Sequence, residues 1–164
     1  MKRIVAAVVC LLVPAGLLTG YVRGGDKKKV KNDVCSAGAS GTVCSVSRCG
    51  SGTSACEVNI TRVGGSGASA KANIPDAKDN APFCVTVGTT VIFKSTSKDT
   101  GFVLDFGNSS PFDSGPAITG GADRPISVVA KKPGCYSYSV GACTAGTIYG
   151  MCGEDAAQLV VSAN

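Results

Sequence analysis

The sequence predicts an all-β domain of sandwich type, and three observations carry that prediction. Short apolar or alternating runs of four to seven residues recur through the second half of the chain, spaced about 10 to 20 residues apart. Turn-forming residues separate them: the chain has 22 glycines, and a Pro-Gly pair follows Lys131 and Lys132. Helical periodicity is hard to find, aromatics are scarce and tryptophan is absent. Once the ends are set aside, enough of the 164 residues remain for one core.

The N-terminus opens on Lys2 and Arg3, followed by an apolar run up to Gly20. Residues 1–20 therefore read as a secretory signal peptide, or as an anchor if uncleaved, since no clean small-residue cleavage pattern stands near Gly20. Cys10 falls inside the run as a small apolar residue. Residues 21–34 read as a basic spacer carrying Arg23, Lys27, Lys28, Lys29 and Lys31. Residues 35–56 form a cysteine-rich extension with Cys35, Cys44, Cys49 and Cys56 among Ser, Gly, Thr and Ala. It has little apolar surface to bury, so its order has to come from cross-links.

Residues 57–164 carry the predicted sandwich. Strands are expected at 57–63, 83–87, 91–95, 102–106, 126–130, 136–140 and 158–162, with a flexible loop at 64–70. The longest excursion, 107–125, is rich in Gly, Pro and Ser. Such a loop at the end of a rigid sandwich offers a binding surface, while Phe112 and Ile118 are expected to anchor it in the core. Asn59 and Asn108 each open an N-x-Ser/Thr glycosylation pattern.

Beyond Cys10 there are eight cysteines: the four of the extension plus Cys84, Cys135, Cys143 and Cys152. An even number behind an export signal reads as four disulfides formed in an oxidising compartment, so the protein is expected to be secreted or periplasmic. Zinc finds no support, because there is neither a C-x-x-C pair nor a histidine. The net charge of +5 comes from the N-terminus, since from Val34 onward nine Lys/Arg meet nine Asp/Glu. A nucleic-acid binder usually carries a basic face and stacking aromatics, and with neither the domain is not expected to bind nucleic acid.

The stretch from Phe83 to Asn164 resembles the cupredoxins, small blue-copper electron carriers. The matching features are V-T-V-G-T-T-V-I-F (85–93), F-V-L-D-F (102–106), K-P-G-C-Y-S-Y-S (132–139), and Cys143, a short loop and Met151 before the last strand Q-L-V-V-S. The resemblance implies an antiparallel Greek-key β-sandwich of cupredoxin type. It also implies a copper site of two His, one Cys thiolate and an axial Met. The first His would fall near Lys98–Gly101 and the second between Cys143 and Met151, yet the chain has no histidine. Cys143 and Cys152 lie at the two ends of one hairpin loop, a position that suits a disulfide and would remove the thiolate. The expected pairing keeps the first four cysteines among themselves and the last four likewise, with Cys143–Cys152 the leading pair.

No catalytic residue is expected. Ser-His and Cys-His chemistry is impossible without histidine, and Lys94–Lys98 (K-S-T-S-K) reads as a polar strand end. The carboxylates Asp105, Asp113, Asp123, Glu154 and Asp155 lack the sugar-stacking aromatics of a glycosidase cleft. The expectation is a non-catalytic, exported binding or structural module with no cofactor and an extracytoplasmic partner. It would touch a membrane only if the N-terminal segment is retained. The alternative is a copper-handling or electron-transfer protein using Cys143, Met151 and Cys152, since thiolates and thioethers favour Cu(I).

Overall fold

The computed structural model describes residues 33–64, 69–149 and 156–163. The signal peptide or anchor and most of the basic spacer lie outside these residues, as do Met151, Cys152, Glu154 and Asp155. Among the described residues two short helices precede ten strands: α1 (Val34–Ala37), α2 (Ser40–Val46), β1 (Cys56–Val63), β2 (Ser69–Asn73), β3 (Phe83–Thr86), β4 (Thr90–Ser95), β5 (Gly101–Asp105), β6 (Ala117–Gly121), β7 (Ile126–Val129), β8 (Gly134–Thr144), β9 (Thr147–Tyr149) and β10 (Ala157–Ser162). One sheet runs β2-β1-β4-β7 and the other β3-β10-β8-β5-β6, with β9 paired to β8. The expected β-sandwich with a stapled N-terminal extension is what the chain forms. It is not wholly antiparallel: β1 lies parallel to β4, and β3 to β10.

Alternation sends one side of each strand into the space between the sheets. Val58 and Ile60 of β1, Val91 and Phe93 of β4, Phe102 and Leu104 of β5, and Leu159 and Val161 of β10 are all buried there. The excursion contributes as expected, with Phe112 at 1% and Ile118 at 4% exposure. Phe112 meets Phe93 and Phe106 edge-on at centroid distances of 6.0 and 5.5 Å, and Phe106 stacks on Tyr138 at 4.6 Å. The excursion is not all loop, because β6 forms inside it and pairs with β5. Gly120 makes that pairing possible: a Cβ there would lie 2.6 Å from Phe102 Cζ and 2.7 Å from the Arg124 carbonyl oxygen. The expected loop at 64–70 likewise gives way to β2 from Ser69.

The cysteine extension departs most from expectation. It does not fold on itself. Cys35 bonds Cys135, Cys44 bonds Cys84, and only Cys49–Cys56 stays within the extension. Cys143, expected in a bridge with Cys152, carries a free thiol, and Cys152 lies outside the described residues. The physical reason for the cross-linking is a second small core. Every residue of Ala157–Val161 is buried, although alternate positions point away from the sandwich interior. The extension covers those outward positions: Val43 packs with Cys84 and Val160, flanked by Val34, Cys44 and Cys135. Gln158, 3% exposed, accepts a hydrogen bond from the Val34 amide (2.9 Å) and donates to Asp33 Oδ1 (2.7 Å). Hydrogen bonds from Ser36, then from Gln158, hold the Asp33 carboxyl below the usual range.

Beyond α2 the chain runs along the outer edge of β3. The Cys84 amide donates to the Ser47 carbonyl (2.9 Å), and the Cys49 amide to the Cys84 carbonyl (2.8 Å). The turn that follows closes the Cys49–Cys56 loop through Gly50 at φ 70°, where a Cβ would come within 2.8 Å of the Cys56 nitrogen. An uncovered edge strand would offer a row of unpaired backbone groups.

Two core substitutions separate packing from polarity. Phe112→Ala removes the ring that packs edge-on against Phe93 and Phe106 and should cost about 3–5 kcal/mol in urea denaturation. Tyr138 has a buried hydroxyl with no partner among the described residues, and burial pushes its ionisation far up. Tyr138→Phe removes that polar burden and should be neutral or stabilising by up to about 1 kcal/mol. A loss above about 1 kcal/mol in Tyr138→Phe would show that the hydroxyl has a stabilising partner.

Candidate functional site

The two stretches that the sequence singles out meet at one end of the sandwich. Gly101 opens β5 and pairs with Gly121 of β6 on one side and Cys143 of β8 on the other. Cys143 also pairs with Ile148 across the β8–β9 hairpin. A Cβ at Gly101 would stand 3.7 Å from the Cys143 Cβ and 3.2 Å from the Gly120 carbonyl oxygen, so only a small residue fits there. Thr100, just before it, is 6% exposed, and its amide donates to the Ser97 carbonyl (3.2 Å).

Beside this junction lies an open cleft of about 440 Å³. Gly101, Gly120 and Gly121 line it together with Lys98, Asp99, Asp123 and Arg124. These four charged residues are solvent-exposed, so the rim carries two cations and two anions. A second cleft of about 530 Å³ opens in the excursion, lined by Asn108, Ser110, Phe112, Asp113 and Lys132 among others. Asn108 is exposed in a turn there, whereas Asn59 is half-buried in the middle of β1.

The polar candidates elsewhere are engaged in the scaffold. Lys94 Nζ reaches Glu57 Oε2 at 2.7 Å across β4 and β1, and the buried Ser95 hydroxyl donates to the Ser97 carbonyl (3.1 Å). The K-S-T-S-K run therefore does not form a Ser-Lys pair. Asp105 Oδ1 accepts from the Gly107 amide (2.8 Å) and shapes the turn after β5. Asp113 pairs with Lys131, which holds its carboxyl below the usual range.

A blue-copper centre needs two imidazoles and a thiolate. The donor set does not fit it, because the chain contains no histidine and places a glycine beside Cys143. Desolvation pushes the Cys143 thiol up, which favours its protonated form. Among the described residues no three His, Cys, Asp or Glu side chains come together. Of the alternative ligands Cys143, Met151 and Cys152, only the first falls within the described residues. No helix among the described residues is long and apolar enough to cross a membrane.

Among the solved structures to which the chain is similar are the cupredoxins amicyanin and rusticyanin. An oxidised mutant amicyanin matches at 16% identity, covering 66% of this chain and 82% of that one, with a TM-score of 0.34. Reduced rusticyanin matches at 16% identity over 66% of this chain and 79% of that one, with a TM-score of 0.36. Rusticyanin from Thiobacillus ferrooxidans gives 16%, 66%, 77% and 0.32 in the same order. No protein-family model matches the chain, and no curated protein does.

The state of Cys143 can be read by alkylation. With a free but desolvated thiol, iodoacetamide should label Cys143 in the native protein, with the labelling rate reaching its plateau at higher pH than for a free cysteine. Complete resistance to labelling until a reductant is added would show that the thiol is bridged.

Proposed function

We propose that this chain is an exported, non-catalytic cupredoxin-like module that binds a partner or serves a structural role without a blue-copper site. The observation that carries the reading is the Gly101–Cys143 pairing, a position with one thiol, a glycine and no imidazole. The three disulfides among the described residues support an oxidising compartment. The glycine-floored cleft bounded by Lys98, Asp99, Asp123 and Arg124 supplies a polar surface on loops held by a rigid sandwich, which suits recognition. Its partner is extracytoplasmic, and the neutral domain beyond the spacer does not suit nucleic acid.

One observation favours a second reading. Cys143 is free rather than bridged, so it remains available as a soft ligand for Cu(I), with Met151 and Cys152 as candidate companions. Equilibrium dialysis against Cu(I) and visible spectroscopy after adding Cu(II) separate the two. The first reading predicts no thiolate-to-copper charge-transfer band and the same copper uptake in wild type and Cys143→Ser. Stoichiometric uptake that disappears in Cys143→Ser would overturn it in favour of the copper-handling reading.

A further inference from the structure

The described strands at the sheet margins are protected in different ways. At β2, the Ala72 amide donates to Asn80 Oδ1 (2.8 Å) and the Ala72 carbonyl accepts from the Asn80 amide (3.1 Å), while Lys71 adds a charge. These devices belong to the strand's own neighbourhood. At β3 the protection comes from a distant segment, Ser47–Cys49, through a parallel bridge between Arg48 and Cys84. That segment has little non-covalent hold. α1 buries no residue and α2 buries only Val43, so docking rests on one small apolar cluster, a few hydrogen bonds and the Gln158 contacts. Keeping 33–49 ordered against its conformational entropy therefore depends on Cys35–Cys135 and Cys44–Cys84.

We propose that these two disulfides make the extension a redox-releasable cap on a strand-accepting edge, and that the partner for the uncapped edge is the β3 strand of a second copy of this chain. Cys35, Cys44 and Cys135 are all partly exposed, so a small dithiol can reach both bridges. Each bridge takes up two electrons and two protons and becomes two thiols, while one dithiol is oxidised to its disulfide. Release exposes the backbone groups of Cys84 together with the outward side of Val160. β3 itself reads Phe83, Cys84, Val85 and Thr86 with no charge; Pro82 before it and the Thr86 carbonyl, which accepts from the Thr89 amide, leave the Cys84 amide and carbonyl as the pair that a second strand would take. Every copy presents the same edge, and a two-fold axis turns two such edges antiparallel, joining the two larger sheets into one.

The test compares the oxidised full-length chain with the same chain after treatment with dithiothreitol, using light scattering on a sizing column and hydrogen exchange. The expected result has three parts. Protection is lost at the Cys84 and Cys49 amides while β10 stays protected. The mass rises towards twice the monomer as concentration increases. The variant Thr86→Lys, which puts a charge on the edge, stays monomeric after the same treatment. Retained protection at Cys84, a monomer at every concentration, collapse of β10 protection along with that of Cys84, or a dimer that Thr86→Lys leaves unchanged would each overturn the proposal. The double variant Cys49→Ser/Cys56→Ser, which keeps both anchoring bridges, should remain a monomer without reductant.

Discussion

The structure depends on covering the outer face of β10 and the free edge of β3. A two-sheet sandwich hides one side of each strand and leaves the other to water. In β10 the outward residues include Val160, and next to it β3 ends the sheet with unpaired backbone groups. The extension answers both needs. Val43 covers Val160, Gln158 is buried with its amide bonded to Asp33 and Val34, and Ser47–Cys49 occupies the edge. So small and polar a segment would not stay there through packing alone. Two disulfides spanning 40 and 100 residues tie it down, and cross-links that close long loops stabilise by about 2–4 kcal/mol each.

This coverage also explains which parts of the fold were legible in the sequence. Strands announce themselves either by alternation, as in Val58-Asn59-Ile60, where burial follows the pleat, or as a short apolar run bounded by turn residues, as in Val91-Ile92-Phe93. Phe112 and Ile118 could be placed in the core because large apolar residues in a polar loop need somewhere to go. β2 and β6 were missed because Ala-Lys-Ala-Asn and Ile-Thr-Gly-Gly have weak strand composition, and their state is set by their partners β1 and β5. The pairing of the cysteines was misread because sequence locality is a poor guide once a segment folds back over a sheet. A signal was present: Leu159-Val160-Val161 is apolar on both faces, which a one-sided sandwich strand does not require.

The candidate site was legible in position and only partly in chemistry. Resemblance pointed to Lys98–Gly101 and to Cys143, and strand register brings Gly101 and Cys143 side by side. The missing imidazoles were plain from composition. The free state of Cys143 was not, because an even cysteine count suggests complete pairing whereas the thiol's fate depends on which partners the fold brings near. The flanking cleft was hidden for a related reason. Lys98, Asp99, Asp123 and Arg124 come from separate loops and meet only when β5 pairs with β6.

The pairing of cysteines across the chain is the claim on which the rest stands, and non-reducing proteolysis with mass spectrometry tests it most directly. Cross-linked peptides joining Cys44 to Cys84 and Cys35 to Cys135 are expected. Linkages confined to Cys35, Cys44, Cys49 and Cys56 would contradict it, because the extension would then be a separate knot with nothing holding it over β10 and β3.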